Sequence, residues 1–194
     1  MRWVPGSLAV FEGLDRAGKT TQINQLLALP WDSGPAQAHM PSGVAHLTDD
    51  IYDVTEARKS DSPLALQLLH LAAHVINMPK LLELRSKRGL ILDRSGWSTL
   101  AYGGFGAGMD AVGVAPATFC DLVLGIWSRM EPNVVFLFDD PFDLDVANTS
   151  VAQRSYRRLA EDAGALCVKI ARGRPESVHE QILAELISRR IVET

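Results

Sequence analysis

Cysteine is scarce in this sequence: Cys120 and Cys167 are the two cysteines among 194 residues. Two cysteines are too few for a disulfide framework or a cysteine-rich zinc site. No apolar run approaches the roughly 18 residues of a membrane-spanning helix, and the first residues lack the long apolar core of a signal peptide. Basic residues are not in excess, because 19 lysines and arginines accompany 23 acidic residues and give a net charge of −4. These absences predict a soluble, cytoplasmic protein that binds neither nucleic acid nor membrane in general, but they leave room for a local positive pocket that holds a small anion.

The apolar residues form short runs rather than long ones. Apolar residues make up 47% of the chain and charged residues 22%, which is typical of a globular protein, and a chain of this length predicts one domain. Residues 7–11, 90–92 and 134–138 are apolar runs of strand length, and segments with helical periodicity follow them. Strands that alternate with helices predict a parallel sheet with helices on both faces.

Proline, glycine and serine mark where further elements begin and end. Ser62-Pro63 is a typical helix start, and apolar residues between 64 and 76 predict one apolar face on that helix. Pro79 either kinks this helix or starts another, which ends at Gly89. The other predicted elements are a short strand near 36–40, a glycine-rich loop at 103–113, a helix from Pro116, a basic helix at 151–162, a strand at 165–170 and a last helix at 175–189.

The most specific motif lies between the first apolar run and the helix that follows it. Gly13-x4-Gly18-Lys19-Thr20 fits the phosphate-binding pattern G-x-x-x-x-G-K-[ST]. The glycines let successive backbone N–H groups point at phosphate oxygens, and the helix adds its positive end. Lys19 can reach the β- and γ-phosphates, and the Thr20 hydroxyl can bind Mg²⁺. The motif predicts nucleotide binding but does not name the phosphate acceptor.

Two pairs of charged residues are candidates for the chemistry. Asp93-Arg94 follows the second apolar run, where ligand groups gather in open α/β sheets; the aspartate suits a metal shell and the arginine a phosphate. Within the loop, Asp15 suits a sugar hydroxyl or a cation, and Arg16 can place positive charge against a phosphoryl group in transfer. The alternatives are an exposed ion pair at 93–94 and a variable loop at 15–16.

Two segments resemble signatures of the thymidylate kinase family. Residues 11–22, FEGLDRAGKTTQ, are very like the opening of that family, and residues 93–102, DRSGWSTLAY, are similar to its second signature, D-R-Y-x-x-S-x-x-A-Y/F. Weaker similarity at 131–133 and 175–180 extends the resemblance over most of the chain. The resemblance implies one P-loop kinase domain over residues 1–194, a three-layer α/β/α fold around a five-stranded parallel sheet, and a short lid-like segment near 140–158.

The same resemblance implies a reaction and a set of residues for it. ATP, with Mg²⁺, would give its γ-phosphate to a nucleoside 5′-monophosphate, above all thymidylate, and the protein would be a homodimer built from apolar helix faces such as 64–76. Asp15 would hold the acceptor's 3′-hydroxyl, Arg94 would hold its phosphate, and Tyr102 would lie against its sugar and favour deoxyribose.

The implied catalytic residues are Asp15, Arg16, Lys19 and Arg94, and the implied metal ligands are Thr20 and Asp93. The implied ATP site comprises Gly13, Leu14, Asp15, Arg16, Ala17, Gly18, Lys19, Thr20, Thr21 and Arg172, with residues 171–175 beside the adenine. The implied acceptor site comprises Asp15, His39, His70, His74, Arg94, Ser98 and Tyr102.

The acceptor motifs depart from the family pattern. Where the family usually has Thr-Arg-Glu-Pro, residues 38–41 read AHMP, and where it usually has L-L-F-x-A-x-R, residues 68–74 read LLHLAAH. The glutamine that often follows the tyrosine of the second signature is Gly103 here. His39 and His74 thus lie near positions where arginine is usual, and histidine would grip the acceptor phosphate more weakly and in a pH-dependent way.

These departures leave alternatives open. One is a kinase of a modified pyrimidine nucleotide or another small phosphorylated acceptor, and another is a nucleotide-binding regulatory protein without catalytic activity. His70 and His74, four residues apart on a helix, also allow a metal pair, although no third ligand spacing supports it. Arg154, Arg157 and Arg158 form either a solvated helix face or a lid that contacts the ATP phosphates.

Overall fold

The computed structural model describes residues 1–45, 48, 50, 51, 53, 62–104, 114–143, 145 and 147–194. Its centre is a parallel sheet of five strands in the order β3-β4-β2-β5-β6. These strands are β2 (Leu8–Gly13), β3 (Ala36–His39), β4 (Leu90–Asp93), β5 (Val134–Phe138) and β6 (Cys167–Lys169). A separate antiparallel pair, β1 (Arg2–Trp3) and β7 (Val192–Glu193), joins the two ends of the chain.

Helices cover both faces of the sheet. They are α1 (Lys19–Leu27), α2 (Pro63–Arg88), α3 (Pro116–Trp127), α4 (Ser150–Ala163) and α5 (Pro175–Ser188), and a helical turn at Gly96–Ser98 continues as a π-helix over Thr99–Gly104. Every residue of β2, β4 and β5 is buried, as expected for strands covered on two faces. Phe11 packs with Ile23 of α1 and Ile182 of α5 on one face, whereas Val10 packs with Leu81 of α2 on the other. The predicted three-layer fold is therefore confirmed.

The register of the sheet brings the two charged segments together. Phe11 of β2 pairs with Asp93 of β4, and Gly13 pairs with Phe138 of β5. The backbone N–H of Arg94 donates to the carbonyl of Phe11 at 2.9 Å. The phosphate-binding loop and the Asp93-Arg94 segment therefore leave the same edge of the sheet side by side.

Helix α2 rules out one alternative that the sequence left open, a second helix starting at Pro79, and differs from its prediction in one respect. It continues through Pro79 as one helix of 26 residues, because Pro79 is exposed and the carbonyl that loses its partner lies one turn back at exposed Val75, where water can reach it. Its apolar residues are also divided between two faces, since Leu71 is buried while Leu68 and Val75 are about half exposed.

Of the other predicted elements, some are present in the structure and some lie outside the described residues. The predicted short strand, the basic helix and the last helix are present as β3, α4 and α5. Most of the predicted glycine-rich loop, residues 105–113, and residues 144 and 146 of the predicted lid-like segment lie outside the described residues. None of the described helices is long and apolar enough to cross a membrane.

Candidate active site

The loop between β2 and α1 has the backbone of a phosphate cradle. Gly13 and Gly18 have φ angles of 126° and 97°, and a Cβ on Gly13 would lie 2.0 Å from the carbonyl oxygen of Phe138. Glycine is therefore required at position 13 both by conformation and by space. Within the described part of the chain, no side chain caps the N-terminus of α1, so the N–H groups of its first turn are available to an anion.

Lys19 lies beneath this loop. Its Nζ donates to the carbonyl oxygens of Leu14 at 2.6 Å and Gly13 at 3.2 Å, and the residue is 6% exposed. Burial, and after it the positive charge of Arg94, lowers the pKa of Lys19 from its ordinary 10.5 to about 8. A phosphate that approaches the loop would restore a negative partner to this ammonium group.

Arg94 is fixed by several partners at once. It forms an ion pair with Asp15 and donates to Ser98 Oγ at 3.0 Å and to the Tyr156 hydroxyl at 3.3 Å. Its φ of 73° lies in the left-handed region, which non-glycine residues rarely adopt. Burial acts to lower the pKa of Arg94, but Tyr156 and Asp15 outweigh it and raise that pKa above its ordinary value. The guanidinium group therefore stays charged.

Behind Arg94 lies the carboxylate of Glu12, which is completely buried. It accepts hydrogen bonds from the Ser95 backbone N–H at 2.6 Å and hydroxyl at 2.7 Å, from the Ser98 hydroxyl at 2.6 Å, and from the Tyr156 hydroxyl at 3.1 Å. Ser98 and Tyr156 are the same groups that contact Arg94. Glu12 is thus the anchor of the network that orients Arg94.

A segment after β5 is fastened to the phosphate-binding loop. The Asn148 side chain accepts from the Asp15 N–H and donates to the Asp15 carbonyl, both at 2.8 Å. The Phe142 N–H donates to the Arg16 carbonyl at 2.9 Å, and the Arg16 Nε lies 3.3 Å from an Asp145 carboxylate oxygen. This segment therefore holds the two loop residues that the sequence singles out.

The groups suited to a divalent cation lie in one cleft. Asp93 and Thr20 both line it together with the loop residues. One oxygen of Asp93 is 3.2 Å from His39 Nδ1, while the other, Oδ1, is buried without a hydrogen-bond partner among the described residues. Burial acts to raise the pKa of Asp93, but His39, Lys19 and Arg94 together lower it. A hydroxyl and an ionised carboxylate fit the preference of Mg²⁺ for oxygen ligands.

A second cavity adjoins this cleft. It has a volume of about 320 Å³, within the range of about 300–1,000 Å³ for small-molecule sites. Its lining includes every residue assigned to the acceptor site from the sequence: Asp15, His39, His70, His74, Arg94, Ser98 and Tyr102. The Arg94 guanidinium lies over the Tyr102 ring, 5.4 Å from its centre. The structure therefore brings these residues together, and their roles toward an acceptor stay predictions.

The surroundings of His74 contradict the expectation that it binds the acceptor phosphate as a cation in a pH-dependent way. It is 1% exposed; its Nδ1 accepts from the Trp127 indole N–H at 3.0 Å, and its Nε2 lies 3.2 Å from the Thr99 hydroxyl. Burial, and secondarily His70, lowers the pKa of His74 to about 3. His74 is therefore neutral near pH 7 and cannot replace an arginine as a cation. The described residues also contain no group of three or more His, Cys, Asp or Glu side chains able to hold a metal ion, so no third ligand of these types supports the metal pair with His70.

A third, more apolar cavity is lined by residues of the phosphate-binding loop, of α1 and of the segment that leads into α5. Ala17, Gly18, Thr21, Phe138, Phe142, Ile170, Arg172 and Val178 are among its lining residues. The Arg172 guanidinium lies 4.6 Å from the centre of the Phe142 ring. An apolar wall bounded by a ring and a guanidinium suits a flat aromatic base. The remaining predicted ATP residues line the cleft of the loop, except Gly13 and Leu14, whose carbonyls hold Lys19.

Sequence reasoning missed several residues of these sites, among them Glu12, Asn148, Phe142 and Gln67. Glu12 could have been found, because it is a charged residue inside an otherwise apolar strand. Asn148, Phe142 and Gln67 carry no such signal, since their roles depend on chain segments that meet only in the folded protein.

Comparison with known proteins points to one family. A family model described as thymidylate kinase matches residues 11–166. The thymidylate kinase of Prochlorococcus marinus strain NATL1A is 30% identical over 150 residues, which are 71% of this chain and 68% of that protein. The thymidylate kinase of Parasynechococcus marenigrum is 34% identical over 116 residues, 54% of this chain and 56% of that protein.

A solved structure of thymidylate kinase from Ehrlichia chaffeensis superposes with a TM-score of 0.72, covers 95% of this chain and 100% of that one, and is 21% identical. At that identity the superposition supports the fold alone, and the aligned stretches span between about half and two thirds of the two cyanobacterial relatives. The family model nevertheless matches most of the chain and includes both charged segments of the site. The chain therefore belongs to the thymidylate kinase family.

Proposed function

We propose that this protein transfers the γ-phosphate of ATP to thymidylate. One observation carries the proposal: Arg94 and Asp15 lie at the junction between the cleft of the phosphate-binding loop and the cavity that adjoins it. A donor phosphate in the cleft and an acceptor phosphate in the cavity would meet at this junction. In-line transfer between two bound phosphates needs such a meeting point.

The chain's own residues divide the work of the reaction. The α1 N-terminus, Lys19 and Arg16 would hold the donor phosphates, and Arg94 would hold the acceptor phosphate. An oxygen of the acceptor phosphate forms a bond to the γ-phosphorus, while the bond from that phosphorus to the bridging oxygen breaks and ADP leaves with the electron pair. Positive groups already fixed in place stabilise the charge that spreads over the transferred group without costly rearrangement.

The fit of Asp93 and Thr20 to a divalent cation supports Mg²⁺ as a cofactor of the reaction. The Thr20 hydroxyl would bind the ion directly. The Oδ1 of Asp93, which has no hydrogen-bond partner among the described residues, would coordinate the ion or accept a hydrogen bond from a water molecule in its coordination shell. When bound, Mg²⁺ supplies charge neutralisation between the donor phosphates.

Two further parts of the proposal concern the whole protein. We propose a homodimer formed through α2 and α3, because Leu68, Val75, Leu122 and Leu124 on these helices are 47–54% exposed. We also propose that the reaction takes place in the cytoplasm, where ATP and nucleoside monophosphates are available.

The function is tested by ADP release in a coupled assay with ATP, Mg²⁺ and a panel of nucleoside monophosphates. The wild-type protein should release ADP fastest with thymidylate. Lys19→Met should abolish release, whereas Lys80→Met should not, because Lys80 is an exposed residue of α2 paired with Glu83. A wild-type protein that releases no ADP with any acceptor would refute the proposed reaction.

A further inference from the structure

Helix α2 forms one wall of the acceptor cavity. Gln67, His70 and His74 lie three and four residues apart, hence on one face of the helix, and all three line the cavity. The cleft of the phosphate-binding loop shares Asp15, His39 and Arg94 with this cavity, but none of the three α2 residues. The α2 wall therefore lies away from the phosphates. An acceptor whose phosphate contacts Arg94 would present its base to this wall.

The side-chain amide of Gln67 has hydrogen-bonding capacity that no described residue uses. Gln67 is 9% exposed, and its Oε1 is buried without a hydrogen-bond partner among the described residues. By contrast, both ring nitrogens of His74 are engaged, by Trp127 and Thr99. A buried amide oxygen without a partner destabilises the protein. A ligand that donates a hydrogen bond to it would remove that cost.

The space for the Gln67 amide is provided by Gly103. A Cβ built on Gly103 would lie 2.1 Å from Gln67 Oε1 and 2.2 Å from its Cδ. Gly103 is not among the residues with positive φ, so its backbone conformation does not demand glycine. The family signature often carries glutamine at this position. In this chain glycine occupies it, and an amide from α2 fills the adjacent space.

We infer that Gln67 recognises the hydrogen-bonding edge of a pyrimidine base, with its Oε1 accepting from the ring N3–H and its Nε2 donating to the O4 carbonyl. The inference rests on the proposed function for the identity of the acceptor as a nucleoside monophosphate. A side-chain amide has one acceptor and one donor group side by side. That pair is complementary to the adjacent N3–H and O4 groups of thymine. Gln67 is thereby a specificity-determining residue of the acceptor site.

The test uses thymidylate and N3-methylthymidylate, which lacks the N3–H, as paired probes. Their dissociation constants are measured by calorimetry, and their kcat/KM values by ADP release. The wild-type protein should bind thymidylate about tenfold or more tightly than the methylated probe, because the methyl group leaves the buried oxygen unpaired. Gln67→Leu, of similar size, should bring the ratio of the two dissociation constants close to one by weakening thymidylate binding.

Two further variants separate recognition from packing. Gln181→Leu makes the same chemical change at an exposed position of α5 and should keep the wild-type ratio. Gly103→Ala should reduce the ratio although Gln67 is intact, because the new Cβ displaces the flexible amide. Its melting temperature should stay near that of the wild type, since the end of a side chain moves rather than backbone.

The outcomes also separate this inference from the proposed reaction. An unchanged ratio in Gln67→Leu would overturn the inference, because the discrimination would then be steric. Thymidylate that does not bind the wild-type protein would overturn it as well. Thymidylate that binds with the expected ratio but is not phosphorylated would refute the proposed reaction and support the role of Gln67.

Discussion

At the scale of single residues, the ammonium group of Lys19 links the stability of the protein to pH. Its pKa is lowered by burial from 10.5 to about 8, so between these values the unfolded chain binds a proton that the folded chain has released. The free energy of unfolding therefore rises with pH across this window. Lys19→Met lacks this contribution.

The contribution of Lys19 to stability is obtained by comparing the wild-type protein with Lys19→Met. One pKa unit corresponds to about 1.4 kcal/mol, so the difference in unfolding free energy, wild type minus Lys19→Met, should increase by on the order of 2 kcal/mol from pH 7 to pH 10. Urea unfolding at several pH values measures it. A difference that stays constant with pH would mean that the lysine is not desolvated in the folded protein.

Arg16 is the second residue whose role can be isolated. It lines the cleft of the loop, and its Nε lies 3.3 Å from an Asp145 carboxylate oxygen, so its charge lies beside the site proposed for the donor phosphates. We expect Arg16→Ala to lower kcat by about 10³. Replacing Arg154, Arg157 and Arg158 together by alanine should lower kcat much less, because Arg16 lines the cleft of the loop and these three residues do not. Steady-state kinetics with the opposite ranking would put the catalytic charge on α4.

What the sequence could predict of the site depends on how local each residue's role is. Lys19 and Thr20 follow from the spacing of one motif, and their position after a buried strand is as predicted. His74 was misjudged because a helical spacing gives the side of the helix but not the polarity of what packs there. Its partners, Trp127 and Thr99, come from elements distant in the chain. Gln67 was missed for a related reason, since its significance depends on Gly103.

At the scale of elements, Asn148 is one of the residues that attach the segment between β5 and α4 to the phosphate-binding loop, beside Phe142 and Asp145. Asn148 completes two hydrogen bonds to the Asp15 backbone, much as a neighbouring strand would. Its loss would free Asp15, and with it the ion pair to Arg94. A shift of about 1 Å in such groups is enough to lower rates up to a hundredfold.

We therefore expect Asn148→Ala to lower kcat by about tenfold to a hundredfold and to change the KM for ATP little. Asn148→Asp, which retains the acceptor for the Asp15 N–H but not the donor, should fall between the alanine variant and the wild type. Asn24→Ala is the matched control, since Asn24 is exposed on α1. Kinetics and thermal melting measured together check the prediction; a large loss of melting temperature with unchanged kcat would indicate a purely structural role.

The elements themselves were largely predictable because the sheet is buried on both faces. Continuous apolar runs at β2, β4 and β5 leave little choice of structure or pairing. Helix α2 was harder to predict, since its buried face combines Leu71, Met78 and Leu81 with the polar Gln67 and His74. Counting apolar residues alone selects the wrong face in such a helix. Gln67 and His74 line the acceptor cavity, so apolar periodicity alone does not mark their side of the helix.

At the scale of the whole molecule, the outward face of α2 carries two exposed apolar residues of the apolar face predicted from the sequence. Leu68 and Val75 lie seven residues apart, two helical turns, and are 48% and 54% exposed. On α3, Leu122 and Leu124 are 47% and 53% exposed. Apolar groups on two helices over the same face of the sheet provide the area that a second copy could cover.

A charge placed on the apolar surface of α2 should prevent formation of the dimer. Val75→Asp places a charge at the centre of an interface between two copies, and an unpaired buried charge is strongly unfavourable. The wild-type protein should sediment as a dimer at micromolar concentration and the variant as a monomer. Ile187→Asp, at an apolar position of α5 that is 37% exposed, should leave the dimer intact. A monomeric wild type, or a dimeric Val75→Asp, would show that α2 does not form the interface. The acceptor wall formed by Gln67 and His74 lies on the same helix, so loss of the dimer should also raise the KM for thymidylate more than the KM for ATP.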